Sequence, residues 1–93
     1  MVNKNIIKIR KSLDKLDNNF LILLKKRETL IKQVLKNKRF KKEIIDRKRI
    51  KTILKNIHKK SRDKKIDKIV TRKIWTAMIN AYIDYEYRNF KKK

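Results

Sequence analysis

Apolar residues recur along the first part of the chain at spacings that alternate between four and three. The seam runs Ile9, Leu13, Leu16, Phe20, Leu23, then Leu30 and Val34, the heptad pattern of a helix with one continuous apolar edge. Leu21, Leu24 and Ile31 widen that edge, as expected of a helix packed against more than one neighbour. The pattern predicts a first helix over 4–40. A second is predicted over 46–61, with Ile50, Ile53, Leu54 and Ile57 on one face and Asp46 as its N-cap. Residues 59–65 form the connection. A third helix is predicted over 67–90, capped by Asp67, with Ile69, Val70, Ile74, Ala77, Met78, Ala81, Tyr82 and Tyr85 as its buried stripe. No alternating run reads as a strand. The expected fold class is all-α: a three-helix protomer with a long first helix, one domain over 1–93.

At 1.5 Å per residue the first helix would be roughly 50 Å long. A compact monomer of 93 residues has a radius of gyration of only about 12 Å. The remaining residues cannot cover such a helix, so a second copy of the chain is the expected cover.

Composition sharpens this picture. Glycine and proline are both absent, which removes the usual helix breakers and favours few, long helices. The 40% apolar fraction argues against pure disorder. Without cysteine there is neither a disulfide framework nor thiolate chemistry. His58 is the one histidine and cannot build a metal site by itself, so no metal and no cofactor is expected. The first 15 residues hold no apolar stretch suited to a signal peptide or a membrane span, and a cytoplasmic location is expected.

The formal charge is +22, which points to a polyanion, either nucleic acid or a membrane surface. However, 23 of the 31 basic residues are lysine, and isoleucine and asparagine are abundant too. All three have A/T-rich codons, so genome composition can produce the same excess. Charge alone decides nothing.

More informative are polar residues in apolar places. Arg27 occupies the seam, four after Leu23 and three before Leu30, and a buried guanidinium requires an anion. Lys38 continues the row four residues past Val34. In an unbroken helix the two cations would share a face roughly 16 Å apart along the axis. They suggest a pocket for an anionic ligand; the plain alternatives are an ion pair with Asp46, Asp84 or Glu86, or a snorkelling side chain. Arg10 lies about 100° around and roughly 25 Å from Arg27. It could reach the same ligand only from a partner chain, and otherwise reads as a solvated arginine. Arg49 flanks the apolar face of the second helix, at a pocket edge or in solvent. Glu86 lies one turn past Tyr82, as a site residue or paired with a lysine. Trp75, Tyr82 and Tyr85 read first as core.

Taken together, these residues resemble the all-helical class of chorismate mutases. Ile9-Arg10, Leu13-Asp14, Leu16-Asp17, Leu23-Leu24, Arg27, Val34 and Lys38 are similar to that family's first helix. Asp46, Arg49 and Ile53-Leu54 are similar to its second, and Ile74-Trp75 through Glu86 to its third. The resemblance covers nearly the whole chain and rests on joint spacing, not on one distinctive motif. It implies an intertwined homodimer with two sites, each taking Arg27, Lys38, Arg49 and Glu86 from one chain and Arg10 from the other. The implied reaction is the Claisen rearrangement of chorismate, a small dianion, to prephenate on the route to phenylalanine and tyrosine, with no fused second activity. Lys38 and Glu86 would be the catalytic groups, Glu86 standing where the family carries Gln or Glu.

Two positions depart from the family. Ile50, after Arg49, replaces the usual Glu that holds the substrate's ring hydroxyl, leaving Asp46 near it. Tyr82 stands where a small residue is common and re-lines the pocket. These departures keep two other readings in view: a lyase of the same fold that cleaves isochorismate, and a family member with a structural or regulatory role. A basic helical dimer that binds nucleic acid is a reading from another class. It would need its cations on an outer stripe, whereas Arg27 sits in the seam; salt-dependent, non-specific attraction follows from the charge in either case.

Overall fold

The computed structural model describes residues 3–92. Among them lie three α-helices and one short 3-10 turn: α1 over Lys4–Lys36, the turn over Lys41–Glu43, α2 over Arg47–Asp63 and α3 over Lys68–Asn89. The fold is all-α, and no described residue is in a strand. The chain divides into two units, Met1–Gln33 and Val34–Lys93.

In the first unit the only described element is the body of α1. Asn3 starts it: its side-chain oxygen accepts from the Asn5 amide at 2.7 Å, satisfying an amide that the first turn cannot. Five members of the predicted seam here, Ile9, Leu13, Leu16, Phe20 and Leu23, are between 52 and 67% exposed. The edge that the heptad pattern marked as apolar lies uncovered in the single chain.

The second unit contains the end of α1, the turn, α2 and α3. Its buried apolar residues are Leu35, Ile44 and Ile79, and Ile50, Ile53, Leu54 and Ile57 are half-buried along α2. Asp46 caps α2, accepting from the Arg49 amide at 3.0 Å. Asp67 caps α3, accepting from Ile69 and Val70 at 2.8 and 3.0 Å. Both caps are the ones the sequence predicts.

Two expectations need correction. The first helix ends at Lys36, not near Phe40. In a continued helix the amides of Arg39 and Phe40 would donate to the carbonyls four residues back. Instead both donate to the Glu43 carboxylate, at 2.6 and 2.7 Å. The last turn tightens, with Asn37 and Lys38 amides donating three residues back to Val34 and Leu35, as helix ends commonly do. Lys38 therefore lies beyond α1, and the shared helical face drawn for it with Arg27 does not apply.

The buried stripe of α3 is also rotated from the predicted one. Ile69, Val70 and Ile74 are 68, 50 and 51% exposed, and Ala77 and Ala81 are exposed as well. The inward face instead carries Thr71, Ile79 and Glu86, with Trp75, Met78 and Tyr82 half-buried beside them. A polar contact selects this face: the Ser61 and Thr71 hydroxyl oxygens are 2.8 Å apart in a buried position between α2 and α3. Each hydroxyl also meets a backbone carbonyl of its own helix, so neither is left unsatisfied.

The α2–α3 connection is tight. Ile66 donates to Ser61 and Lys65 to Arg62, a Schellman arrangement, and Lys65 has a φ of 58°. A side chain there has a steric cost that glycine lacks. Lys65→Gly relieves a left-handed penalty of roughly 1–2 kcal/mol against a glycine entropy cost of roughly 0.5–1 kcal/mol, so stability is expected to rise, read as a higher denaturant midpoint with an unchanged slope.

Candidate active site

Lys38 and Glu86 meet inside the second unit. The Lys38 ammonium lies 3.0 Å from Glu86 Oε1 and 3.4 Å from the Ile44 carbonyl. Glu86 is 7% exposed, and the lysine side chain is only slightly more open. An ammonium has three N–H donors; these two contacts leave it a third. The lysine comes from the link after α1 and the carboxylate from the last turns of α3, 48 residues apart in the chain. The ion pair expected as the plain alternative for Glu86 is thus formed, and its cation is the other predicted catalytic residue.

The link carrying Lys38 is held by Glu43. Besides its two amide contacts, this residue lines an open depression of about 490 Å³ with Lys38, Ile45, Asp46 and Arg47. The Phe40 amide is the strongest influence on its carboxyl; with the Arg39 amide and the charges of Lys38 and Lys42 it outweighs desolvation and holds the group below its ordinary value. A carboxylate depressed in this way stabilises the folded chain above its unfolded value and stops doing so as pH falls through the folded one. The clamp is therefore closed at neutral pH.

The other candidate residues are placed as follows. Asp46 is exposed at the head of α2, its side chain engaged as cap. Arg49 has an exposed side chain, and its amide serves that cap. Ile50 is half-buried. Tyr82 is half-buried and stacks edge-on against Tyr85, with ring centroids 5.9 Å apart. In the other unit, Arg10 is exposed and Arg27 half-buried on α1. The structure brings together Lys38 and Glu86, with Asp46 on the rim of the depression beside Lys38.

Glu43 is the residue that sequence reading missed. The usual signal is a Ser or Thr three residues before a Glu, and here Phe40 fills that place, so only the glutamate's half of the motif forms. A larger open groove, about 800 Å³, runs along α2 and α3 beside His58, Lys68, Arg72 and Lys73. All its lining residues are exposed, and it holds no desolvated charge comparable to Glu86. Among the described residues no group of three His, Cys, Asp or Glu could hold a metal ion. No helix there is long and apolar enough to cross a membrane.

Fold and ion pair together define an all-helical protein with a sheltered lysine–carboxylate pair. The family model of chorismate mutase type II matches residues 9–87, and the chain belongs to that family. It is an isomerase whose substrate is chorismate. Comparison with curated proteins and with solved structures gives no match.

Removing one partner of a buried pair leaves the other charge desolvated. Lys38→Met should cost roughly 3–5 kcal/mol of stability. Adding Glu86→Gln should recover part of that loss, and a double-mutant cycle in urea measures the coupling. Additive costs would mean that the pair is not coupled in solution.

Proposed function

We propose that the chain is a chorismate mutase that works as an intertwined homodimer, converting chorismate to prephenate at two shared sites. Each site takes Arg27, Lys38, Arg49 and Glu86 from one protomer and Arg10 from its partner. A cytoplasmic location goes with this reading. The observation that carries it is the sheltered Lys38–Glu86 pair, which puts a donor and a carboxyl group side by side on a chain of this family. The uncovered seam of α1 supports the dimer: apolar surface extending along a whole helix calls for a partner.

The rearrangement is pericyclic. One C–O bond breaks while one C–C bond forms within a six-membered ring of reacting atoms, and nothing is added or lost. The protein's first contribution is to hold a flexible dianion in its compact, chair-like conformation, a largely entropic gain. Arginine suits that role because its planar fork grips a carboxylate bidentately. The second contribution is a set of donors at the ether oxygen, where negative charge grows as the bond breaks. The third N–H of Lys38 is available for that oxygen. Glu86 holds the ammonium that makes that donation, 3.0 Å from it. Ile50, in place of a polar side chain, leaves the ring hydroxyl to Asp46 and to water.

Purified protein should consume chorismate, read as loss of its absorbance, and Arg27→Ala should lower kcat/KM by roughly 100-fold or more. Absence of consumption above background would defeat the proposal. Arg10→Ala and Arg27→Ala should each be nearly inactive alone. When mixed and allowed to exchange subunits, they should recover up to roughly one quarter of wild-type turnover, because about half of the resulting dimers are mixed and carry one intact site of two. No recovery in exchanged dimers would exclude a site shared across the interface.

A further inference from the structure

We propose that Glu43 is a positioning residue for the reaction: by holding the amides of Arg39 and Phe40 it ends α1 before Lys38 and sets the link from which Lys38 reaches Glu86. This inference rests on the reading of Lys38 as a catalytic donor.

The geometry runs through the backbone. Two short hydrogen bonds, 2.6 Å from the Arg39 amide and 2.7 Å from the Phe40 amide, take the donors that would have extended α1 by another turn. Phe40 is consequently extended, with φ −125° and ψ 144°. The chain then turns through Lys41–Glu43, with the Glu43 amide donating to Phe40 and the Ile44 amide to Lys41, both at 3.0 Å. That turn delivers Ile44 to a position only 3% exposed and aims its carbonyl at the Lys38 ammonium, 3.4 Å away. Lys38 is thus held between a carbonyl of its own link and a carboxylate of α3, and the link takes its course from Glu43.

Local charge points the same way. Between Lys36 and Glu43 the chain carries five cations, Lys36, Lys38, Arg39, Lys41 and Lys42, and Glu43 is its one acid. Without that carboxylate the segment has mutual repulsion and two amides seeking acceptors; the nearest acceptors are the last carbonyls of α1. Extending the helix would carry Lys38 onto it and undo the turn that now aims the Ile44 carbonyl at its ammonium. Glu43 itself is exposed, so its replacement removes no core packing and leaves the α2–α3 contact untouched.

The test compares Glu43→Ala and Glu43→Gln in the otherwise native chain and in a Lys38→Gln background, with the far-ultraviolet helix signal monitoring the fold. Glu43→Ala should lower kcat roughly 10- to 100-fold, the scale of a misplaced catalytic group, and change KM less. Glu43→Gln should recover most of that loss, because its amide oxygen still accepts. In the Lys38→Gln background Glu43→Ala should cost nothing further, since it acts through Lys38. Amide exchange at Arg39 and Phe40 should quicken in Glu43→Ala. Equal losses in both backgrounds, or quickened exchange with unchanged kcat, would overturn the proposal. Full turnover by Lys38→Gln alone would instead remove the reading of Lys38, a failure distinguishable from that of the Glu43 clamp.

Discussion

A lysine and a glutamate share a sheltered position between the start of the link and the end of α3, and each makes the other tolerable there. An unpaired charge so far from water would lose several kcal/mol of hydration, which a contact at 3.0 Å offsets only if both partners arrive in register. The surrounding structure supplies that register. Asp46 fixes where α2 begins, the Ser61–Thr71 contact fixes which face of α3 turns inward, and Glu43 sets the path of the chain between α1 and α2. A family whose chemistry asks for donors at one breaking bond needs such rigid placement more than it needs reactive groups. Much of this small unit serves to hold one ammonium group.

The first helix presents the opposite situation. Its seam was selected for burial in sequence, yet Ile9 through Leu23 stand open to water in the isolated chain. On α3, Ile69, Val70 and Ile74 form a second exposed apolar ridge. Burial is worth about 25 cal/mol for each Å² removed from water, so a helix edge of this length is a substantial incentive to associate. The homodimer proposed above would cover it, because the same seam would then meet its own kind.

How much of this was legible in the sequence depends on which force sets each feature. Helix identity follows from periodicity, and the starts of α2 and α3 follow from Asp46 and Asp67, whose side chains cap within a few residues. The end of α1 could not be read in the same way, because the competing acceptor lies four residues beyond Arg39 and Phe40 hides the usual capping signature. The inward face of α3 was obscured by apolar residues on more than one side, so that two hydroxyls, on Ser61 and Thr71, decided what hydrophobicity left degenerate. Lys38 and Glu86 were recognisable as polar residues out of place, and the family resemblance gave them roles. Their ion pair was one of the plain readings; that it forms from the link was not legible, since helical arithmetic placed Lys38 on α1, whereas the Glu43 carboxylate takes the amides that would have continued it.

The charge of +22 is then best understood by its range. Exposed lysines act through water and salt, and at physiological ionic strength their field fades over roughly 8 Å. Such a field can draw a dianion toward the molecule and raise the encounter rate, but it cannot distinguish one anion from another or favour one conformation of it. Discrimination requires donors in fixed positions with little water between them and the ligand. Lys38 meets that condition because a carboxylate and a carbonyl hold its head group, whereas the cations of the α2–α3 groove are all exposed. Among more than twenty surplus positive charges, the one to which the proposed mechanism assigns the chemistry is therefore one whose charge is already neutralised by a neighbour. Its usefulness lies in direction, not in field strength.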